Sequence, residues 1–168
     1  MIQRGNCSAL IGLGSNVGDK RYTLHLACER IQEQLGTIKK MSGYYATSAW
    51  GKVDQEDFIN QCIYIETKLT AIELMQGLLA IEKELGRIRK EKWGPRIIDL
   101  DLLYFDDQII HVDTLTLPHP YVQDRRFVLV PLCEIAPDWV HPIFRKTQRQ
   151  LLESCPDNLS VFLLDEGE

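Results

Sequence analysis

Asp99 and Asp101, two residues apart in the run "IIDLDLL", are the pair in this chain most suited to do chemistry. In an extended strand they project from one face, about 6.6 Å apart along the chain, while Ile98, Leu100 and Leu102 project from the other. Neighbouring carboxylates repel each other and are poor strand formers, so the pair needs compensation. A solvated face would supply it with water. Ile97 and Leu103 on the acidic side make the setting partly apolar, which favours a bound cation instead. Hard oxygen ligands without a neighbouring His or Cys suit Mg²⁺, and this spacing matches a pair of ions clamping a polyphosphate.

Immediately upstream, residues 87–96 hold Arg87, Arg89, Lys90, Lys92 and Arg96 against the single acid Glu91, a local +4 in a chain of net charge −5. Such a run is ordinarily a solvated loop. Its position argues otherwise, because Gly94-Pro95 fixes a turn that brings Arg96 back beside Asp99. Metal-binding acids beside forked guanidiniums are what a nucleoside triphosphate requires, since arginines hold the charge that develops in phosphoryl transfer.

Further candidates are weaker when read alone. On a helical wheel Glu82 falls inside an apolar stripe of Leu74, Met75, Leu78, Leu79, Ile81 and Leu85, where a carboxylate is costly unless something binds it. That partner is either a ligand in a site or a buried Arg or Lys. His119 sits between two prolines in "LPHPYVQDRRF", ahead of Arg125 and Phe127; a structural role competes with a phosphate contact, and no Ser or Cys partner marks it as a catalytic base. Phe58 and Phe127 taken singly are core residues. "GLGSNVGDK" lacks the P-loop spacing, and its GxG is too weak to indicate dinucleotide binding.

The elements that must position these residues follow from periodicity. "CSALIGLGSN" reads as a buried strand running into a turn, and residues 20–35 as a helix with Leu24, Ala27, Cys28, Ile31 and Leu35 on one face. "TIKKMSGYYATSAW" and "DFINQCIYIETKL" read as strands joined by a polar loop, with Phe58, Asn60, Cys62 and Tyr64 sharing a face of the second. A helix over 71–85, a strand over 97–105, a turn at Asp106-Asp107-Gln108 and a return strand near 109–112 come next. "RRFVLVPLCEIAP" is a short helix or strand, and "DNLSVFLLDEGE" a last strand. This order predicts an α+β sandwich, with helices on one face of a mainly antiparallel sheet.

Composition sets the outer bounds. The 168 residues, 45% hydrophobic and 26% charged, form one domain spanning 1–168. A pI near 5.4 excludes a generic electrostatic grip on nucleic acid or anionic membrane. With no long apolar run and no signal-peptide pattern, the expected location is cytoplasmic. Five dispersed cysteines without a CxxC read as reduced thiols.

Taken together, "ALIGLGSN", "FINQC", "LLAIEKELGRIR", "KWGPRIIDLDLLYF", "LPHPYVQDRRF" and "PLCEIAPDWVHP" occur in the order seen in one family over about 130 residues. The chain resembles the 6-hydroxymethyl-7,8-dihydropterin pyrophosphokinases of folate biosynthesis. The resemblance implies a ferredoxin-like sandwich that transfers the β,γ-diphosphate of ATP to the hydroxymethyl group of the reduced pterin and releases AMP. It implies that Asp99 and Asp101 hold two Mg²⁺ ions and that Arg87 and Arg96 assist transfer. Arg89, Lys90, Lys92 and Trp93 then belong to a lid over ATP, and Glu82, His119 and Arg125 lie near the nucleotide. Phe58 and Phe127 sandwich the pterin, while Thr47 and Asn60 read its polar edge. The expected partners are these small molecules, with association with other folate-pathway enzymes left open. Ser48-Ala49-Trp50 departs from what many relatives carry, and Lys92 and Pro120 from what some carry. Two rival readings are a metal-dependent phosphohydrolase, which has no use for the Phe58, Asn60 and Phe127 set, and a non-catalytic ferredoxin-like binding or regulatory module of the kind that often binds RNA, which the acidic pI and the acidic strand oppose.

Overall fold

The computed structural model describes residues 5–47, 57–86 and 97–165. In chain order the elements are β1 (Cys7–Ser15), α1 (Lys20–Gln34), β2 (Thr37–Met41), β3 (Tyr45–Thr47), β4 (Phe58–Thr67), α2 (Ala71–Glu84), β5 (Asp99–Phe105), β6 (Ile110–Val112), β7 (Leu115–Leu117), α3 (Arg126–Ile135), α4 (Gln148–Glu153) and β8 (Val161–Leu163). A 3₁₀ turn spans Val122–Asp124.

β1 and β4 lie at the centre of the sheet and are buried along most of their length. The strand order is β5-β1-β4-β3-β8, with β2 also paired to β4, and every pairing is antiparallel. The segment expected as one strand from Thr37 onward is therefore two. Ser42 interrupts it by accepting the Cys62 amide on its hydroxyl oxygen at 2.9 Å while its own N–H donates to the Cys62 carbonyl. With β2 and β3 counted as one interrupted strand, the β1-α1-β2/β3-β4-α2-β5 sequence has ferredoxin-like topology. The expected return strand β6 does not pair with β5; it forms a separate two-stranded ribbon with β7.

Two apolar clusters lie on opposite sides of the sheet. On one side Leu24, Ala27 and Ile31 of α1 and Leu74, Leu78 and Ile81 of α2 pack on Ile11, Leu13, Ile63, Ile65, Leu100 and Leu102. α2 starts at a reciprocal capping box between Thr70 and Glu73, which satisfies two otherwise orphaned amides. On the other side Val128, Leu129 and Leu132 of α3 and Leu151 of α4 pack on Leu10, Cys62, Leu103 and Tyr104. Helices on one face was the expectation, and it holds for α1 and α2 only. The strongly apolar α3 closes part of the second face.

β5 begins at Asp99, two residues later than the periodicity predicts, and carries a bulge. Leu10 pairs with Tyr104 and Ile11 with Leu102, so Leu103 is the extra residue. The bulge lets the Asp99-Asp101 stretch and Tyr104 face the same side although the strict period of two would separate them. Asp106 follows at φ 49°, with its carboxylate accepting the Ser8 amide at 2.8 Å, so the acids after the strand form a turn, as expected. All five cysteines are free, and burial pushes the Cys28 thiol up to about 12. No helix among the described residues is long and apolar enough to cross a membrane.

Candidate active site

The site occupies the part of the second sheet face that α3 and α4 leave uncovered, and its floor is glycine. Gly14 pairs with Asp99 on one side and Asn60 on the other, and Asn60 pairs in turn with Tyr45. Gly12 pairs with Asp101 and Cys62. Directly opposed residues share a face, so half-buried Asp99 and Asp101 stand two strands away from Asn60, about 10 Å at the usual strand spacing. In the Asp99–Gly14–Asn60 row the middle residue has no side chain, whereas the Leu103 side chain lies over Gly12. A Cβ on Gly14 would come 2.8 Å from Asn60 Oδ1 and 3.9 Å from Phe58 Cδ1. The missing side chain is what keeps this floor open.

The far wall is set by a short polar chain. Asn60 Nδ2 donates to Thr47 Oγ1 at 3.0 Å, which fixes the amide so that its carbonyl oxygen is the atom nearest Gly14. Both residues are buried. Phe58, two residues before Asn60, is on the same face and half-buried. Phe127, also half-buried, lies in the first turn of α3.

The near wall is charged. Burial raises the Cys62 thiol and the Asp101 carboxylate raises it further, consistent with Asp101 facing this side. His119 is held in the loop by its own N–H donating to the Leu103 carbonyl at 2.9 Å. Burial, reinforced by the Arg125 cation and partly offset by Asp99, lowers its pKa to about 4. The ring is therefore neutral at physiological pH. Its Nδ1 accepts the Tyr121 amide at 3.2 Å, which assigns the proton to Nε2 and makes His119 a neutral donor. The Arg125 guanidinium lies 5.0 Å from the Tyr121 ring centre and 5.8 Å from that of Phe127, so it is held in place by two aromatic faces.

Glu82 is the buried acid anticipated from the helical wheel, at 3% exposure, although Leu79 in the same expected stripe is 48% exposed. Its Oε2 accepts the Leu100 amide at 2.7 Å. Leu100 lies between the two aspartates on the edge strand β5, so Glu82 braces the backbone from which both project. Asp99 and Asp101 offer only hard carboxylate oxygens, a donor set that fits Mg²⁺ completed by water and phosphate oxygens. Among the described residues no group of three or more His, Cys, Asp or Glu could hold a metal ion by itself.

Arg87, Arg89, Lys90, Lys92, Trp93 and Arg96, expected to form the basic lid, lie outside the described residues, as do Ser48, Ala49 and Trp50. The structure brings together Asp99, Asp101, His119 and Arg125 on one wall and Thr47, Asn60 and Phe58 on the other. Gly12 and Gly14 were missed as site residues. Their signal was in the sequence, since a two-residue spacing in a strand places both on one face.

Known proteins resemble this chain along most of its length. Residues 10–137 match the family model described as 7,8-dihydro-6-hydroxymethylpterin-pyrophosphokinase (HPPK). A Synechocystis 2-amino-4-hydroxy-6-hydroxymethyldihydropteridine pyrophosphokinase is 47% identical over 146 residues, covering 86% of this chain and 74% of the relative. The Aquifex aeolicus protein of the same name is 42% identical over 148 residues, covering 88% and 90%. A Plasmodium falciparum HPPK-DHPS chain crystallised with pterin and p-hydroxybenzoate superposes with a TM-score of 0.73 at 17% identity, over 90% of this chain. At that identity the likeness concerns the fold, and this chain spans 44% of the Plasmodium one. With the family match covering most of its length and relatives above 40% identity, the chain belongs to the 7,8-dihydro-6-hydroxymethylpterin-pyrophosphokinase family, the diphosphotransferases of folate biosynthesis.

Proposed function

We propose that the glycine-floored trough is where this enzyme transfers the β,γ-diphosphate of ATP to the hydroxymethyl oxygen of 6-hydroxymethyl-7,8-dihydropterin, releasing AMP. The observation that carries the reading is the row Asp99–Gly14–Asn60, which sets a carboxylate pair and a fixed amide on opposite sides of an open backbone floor. A flat polar heterocycle fits against the amide, with Asn60 Oδ1 accepting from its N–H edge and Phe58 and Phe127 enclosing its faces. The polyphosphate then lies toward the acids and the cationic wall.

Asp99 and Asp101 would hold Mg²⁺, as two ions in the fullest form of this reading, and the bound metal would supply neutralisation of the phosphate charge. Glu82 keeps the two aspartates in register through the Leu100 amide. His119 donates a hydrogen bond from Nε2 to a phosphate oxygen, and being neutral it adds no charge to neutralise. Arg125 supplies a cation held by its aromatic neighbours. Arg87 and Arg96 stabilise charge on the moving diphosphate, while Arg89, Lys90, Lys92 and Trp93 close over the nucleotide. The pterin hydroxyl attacks the β-phosphorus in line. The new O–P bond replaces the bond from that phosphorus to the α,β-bridging oxygen, which leaves on AMP, and the hydroxyl proton passes to solvent. Catalysis is then positioning and charge stabilisation without a dedicated base. We also infer one domain spanning 1–168. The joining of an HPPK unit to a further unit in the Plasmodium chains supports association with another folate-pathway enzyme.

The test is AMP production from ATP measured with and without the reduced pterin and with and without Mg²⁺. AMP should form only when all three are present. Asp101→Ala should lower the rate by about 10³-fold or more, equivalent to about 4 kcal/mol of transition-state stabilisation, without changing the melting temperature. AMP release without pterin would favour a phosphohydrolase, and a folded, active Asp101→Ala variant would remove the metal assignment.

A further inference from the structure

The matched family stretch ends at residue 137, yet the chain beyond it returns to both walls of the trough. Asp157 Oδ2 accepts the amide of Arg126, the first residue of α3, at 3.1 Å, and its Oδ1 accepts the Leu159 amide at 3.0 Å. Arg126 sits between Arg125 and Phe127, so Asp157 caps the end of the helix that carries the aromatic wall. A few residues later β8 pairs with β3, placing Val161 opposite Thr47, Phe162 opposite Ala46 and Leu163 opposite Tyr45. The Leu164 amide then donates to the Tyr44 carbonyl at 2.8 Å. Arg21, whose guanidinium lies over the Tyr44 ring at 5.3 Å, donates to the Asp165 carbonyl at 2.8 Å. Leu163 packs so tightly on Gly43 that a Cβ there would meet Leu163 Cδ1 at 2.7 Å.

We propose that residues 157–165 are a positioning strap that sets the separation between the Phe127 wall and the Thr47–Asn60 wall, and thereby the fit of the pterin but not of ATP. The inference rests on the pterin reading given above. Its physical reason is the place of β3 in the sheet, joined to β4 along one side and to β8 along the other, so that without β8 the Tyr45–Thr47 stretch would be an unpaired edge. The same segment is tied at its start to α3, so the two walls move as one body. Asp157 is the positioning residue at the α3 end and Leu164 at the β3 end. Asp157 meets α3 at the Arg126 amide and Leu164 meets the Tyr44 carbonyl, neither of which is assigned to phosphate.

Asp157→Ala and Leu164→Pro, which remove the cap and the amide donor respectively, separate this role from general stabilisation. Each should raise KM for 6-hydroxymethyl-7,8-dihydropterin about tenfold, the cost of about one hydrogen bond's worth of misplacement, and leave KM for ATP within about twofold. Asp157→Asn, which keeps an acceptor oxygen, should restore most of the pterin KM. A chain ending at Ser160 should behave as Leu164→Pro does. Asn60→Ala is the control for the reading beneath. If it raises the pterin KM and the strap variants do not, the strap is overturned alone. If none of them changes it, the pterin assignment of this wall fails and the strap with it. Lowered melting temperature with both KM values unchanged would also overturn the strap, since that is what a merely stabilising tail does.

Discussion

The two halves of one sheet face are built from the same three strands and do opposite things. Toward α3 and α4, β1 presents Leu10, β4 presents Tyr64, and β5 presents Leu103 and Tyr104, with buried Cys62 at the border opposite Gly12. Toward the other end the same strands present Gly12 and Gly14, Asn60 and Phe58, and Asp101 and Asp99. The first half expels water and stabilises. The second forgoes that burial, and the adjoining packed half holds its strands still. The comparison teaches that site rigidity here is borrowed from side chains that never meet substrate.

The pairing of halves predicts a separation of effects. The largest is on stability: Leu132→Ala, which empties a fully buried position on the sheet-facing side of α3, should cost about 2–5 kcal/mol by urea unfolding, with KM values close to those of the parent. A comparable loss of substrate affinity in the folded variant would show that the halves are not separable. Next comes Gly14→Ala, which places a methyl against Asn60 Oδ1. It should raise the pterin KM about tenfold and change stability by less than about 1 kcal/mol, a split measured by steady-state kinetics beside thermal unfolding. An unchanged pterin KM would mean that the floor is not where the heterocycle lies.

The smallest effect compares two histidines, one in each half. His141 is buried near Tyr104, and its Nδ1 accepts the amides of Ile143 and Phe144 at 3.2 Å each. Burial lowers its pKa, as it does for His119. A histidine whose folded pKa lies below its unfolded value binds more protons when unfolded. The stability it protects is therefore complete above about pH 6.5 and is lost as the pH falls through that value toward the folded pKa. His141→Gln should flatten the loss of stability between pH 7 and pH 5 and leave kinetics at pH 7.5 unaltered. His119→Gln, at the same pH 7.5, should instead raise KM for ATP a few-fold, about 1 kcal/mol, because the neutral donor is displaced. Identical behaviour of the two variants would erase the distinction between the halves.

Much of the site is legible in the order of residues alone. The period of two puts Asp99 and Asp101 on one face and Phe58 with Asn60 on another shared face, and the helical period places Glu82 inward. Those are local properties, since a strand or helix turns each side chain by a fixed angle whatever it packs against. Order and spacing of the longer motifs also carry the family, and the family match agrees. Periodicity leaves open what partner Glu82 takes. The structure supplies the Leu100 amide, eighteen residues away on a different element, which no spacing rule reveals. The second helical layer is not legible because "RRFVLVPLCEIAP" is apolar at nearly every position, and such a run does not say which face of a sheet it covers.

By itself, then, the sequence determined the chemistry on offer: which residues are charged, which strand and helix faces they occupy, and the family to which they belong. Tertiary structure decided how those faces meet. The glycines became a floor only when β1 was placed between β4 and β5, the bulge at Leu103 aligned the acids with the helix-covered face, and the tail beyond Asp157 acquired a place beside Thr47 and Arg126. Each of these is a pairing between residues far apart in the chain, and such pairings are selected by the packing of the whole molecule, not by the conformational preference of any one segment.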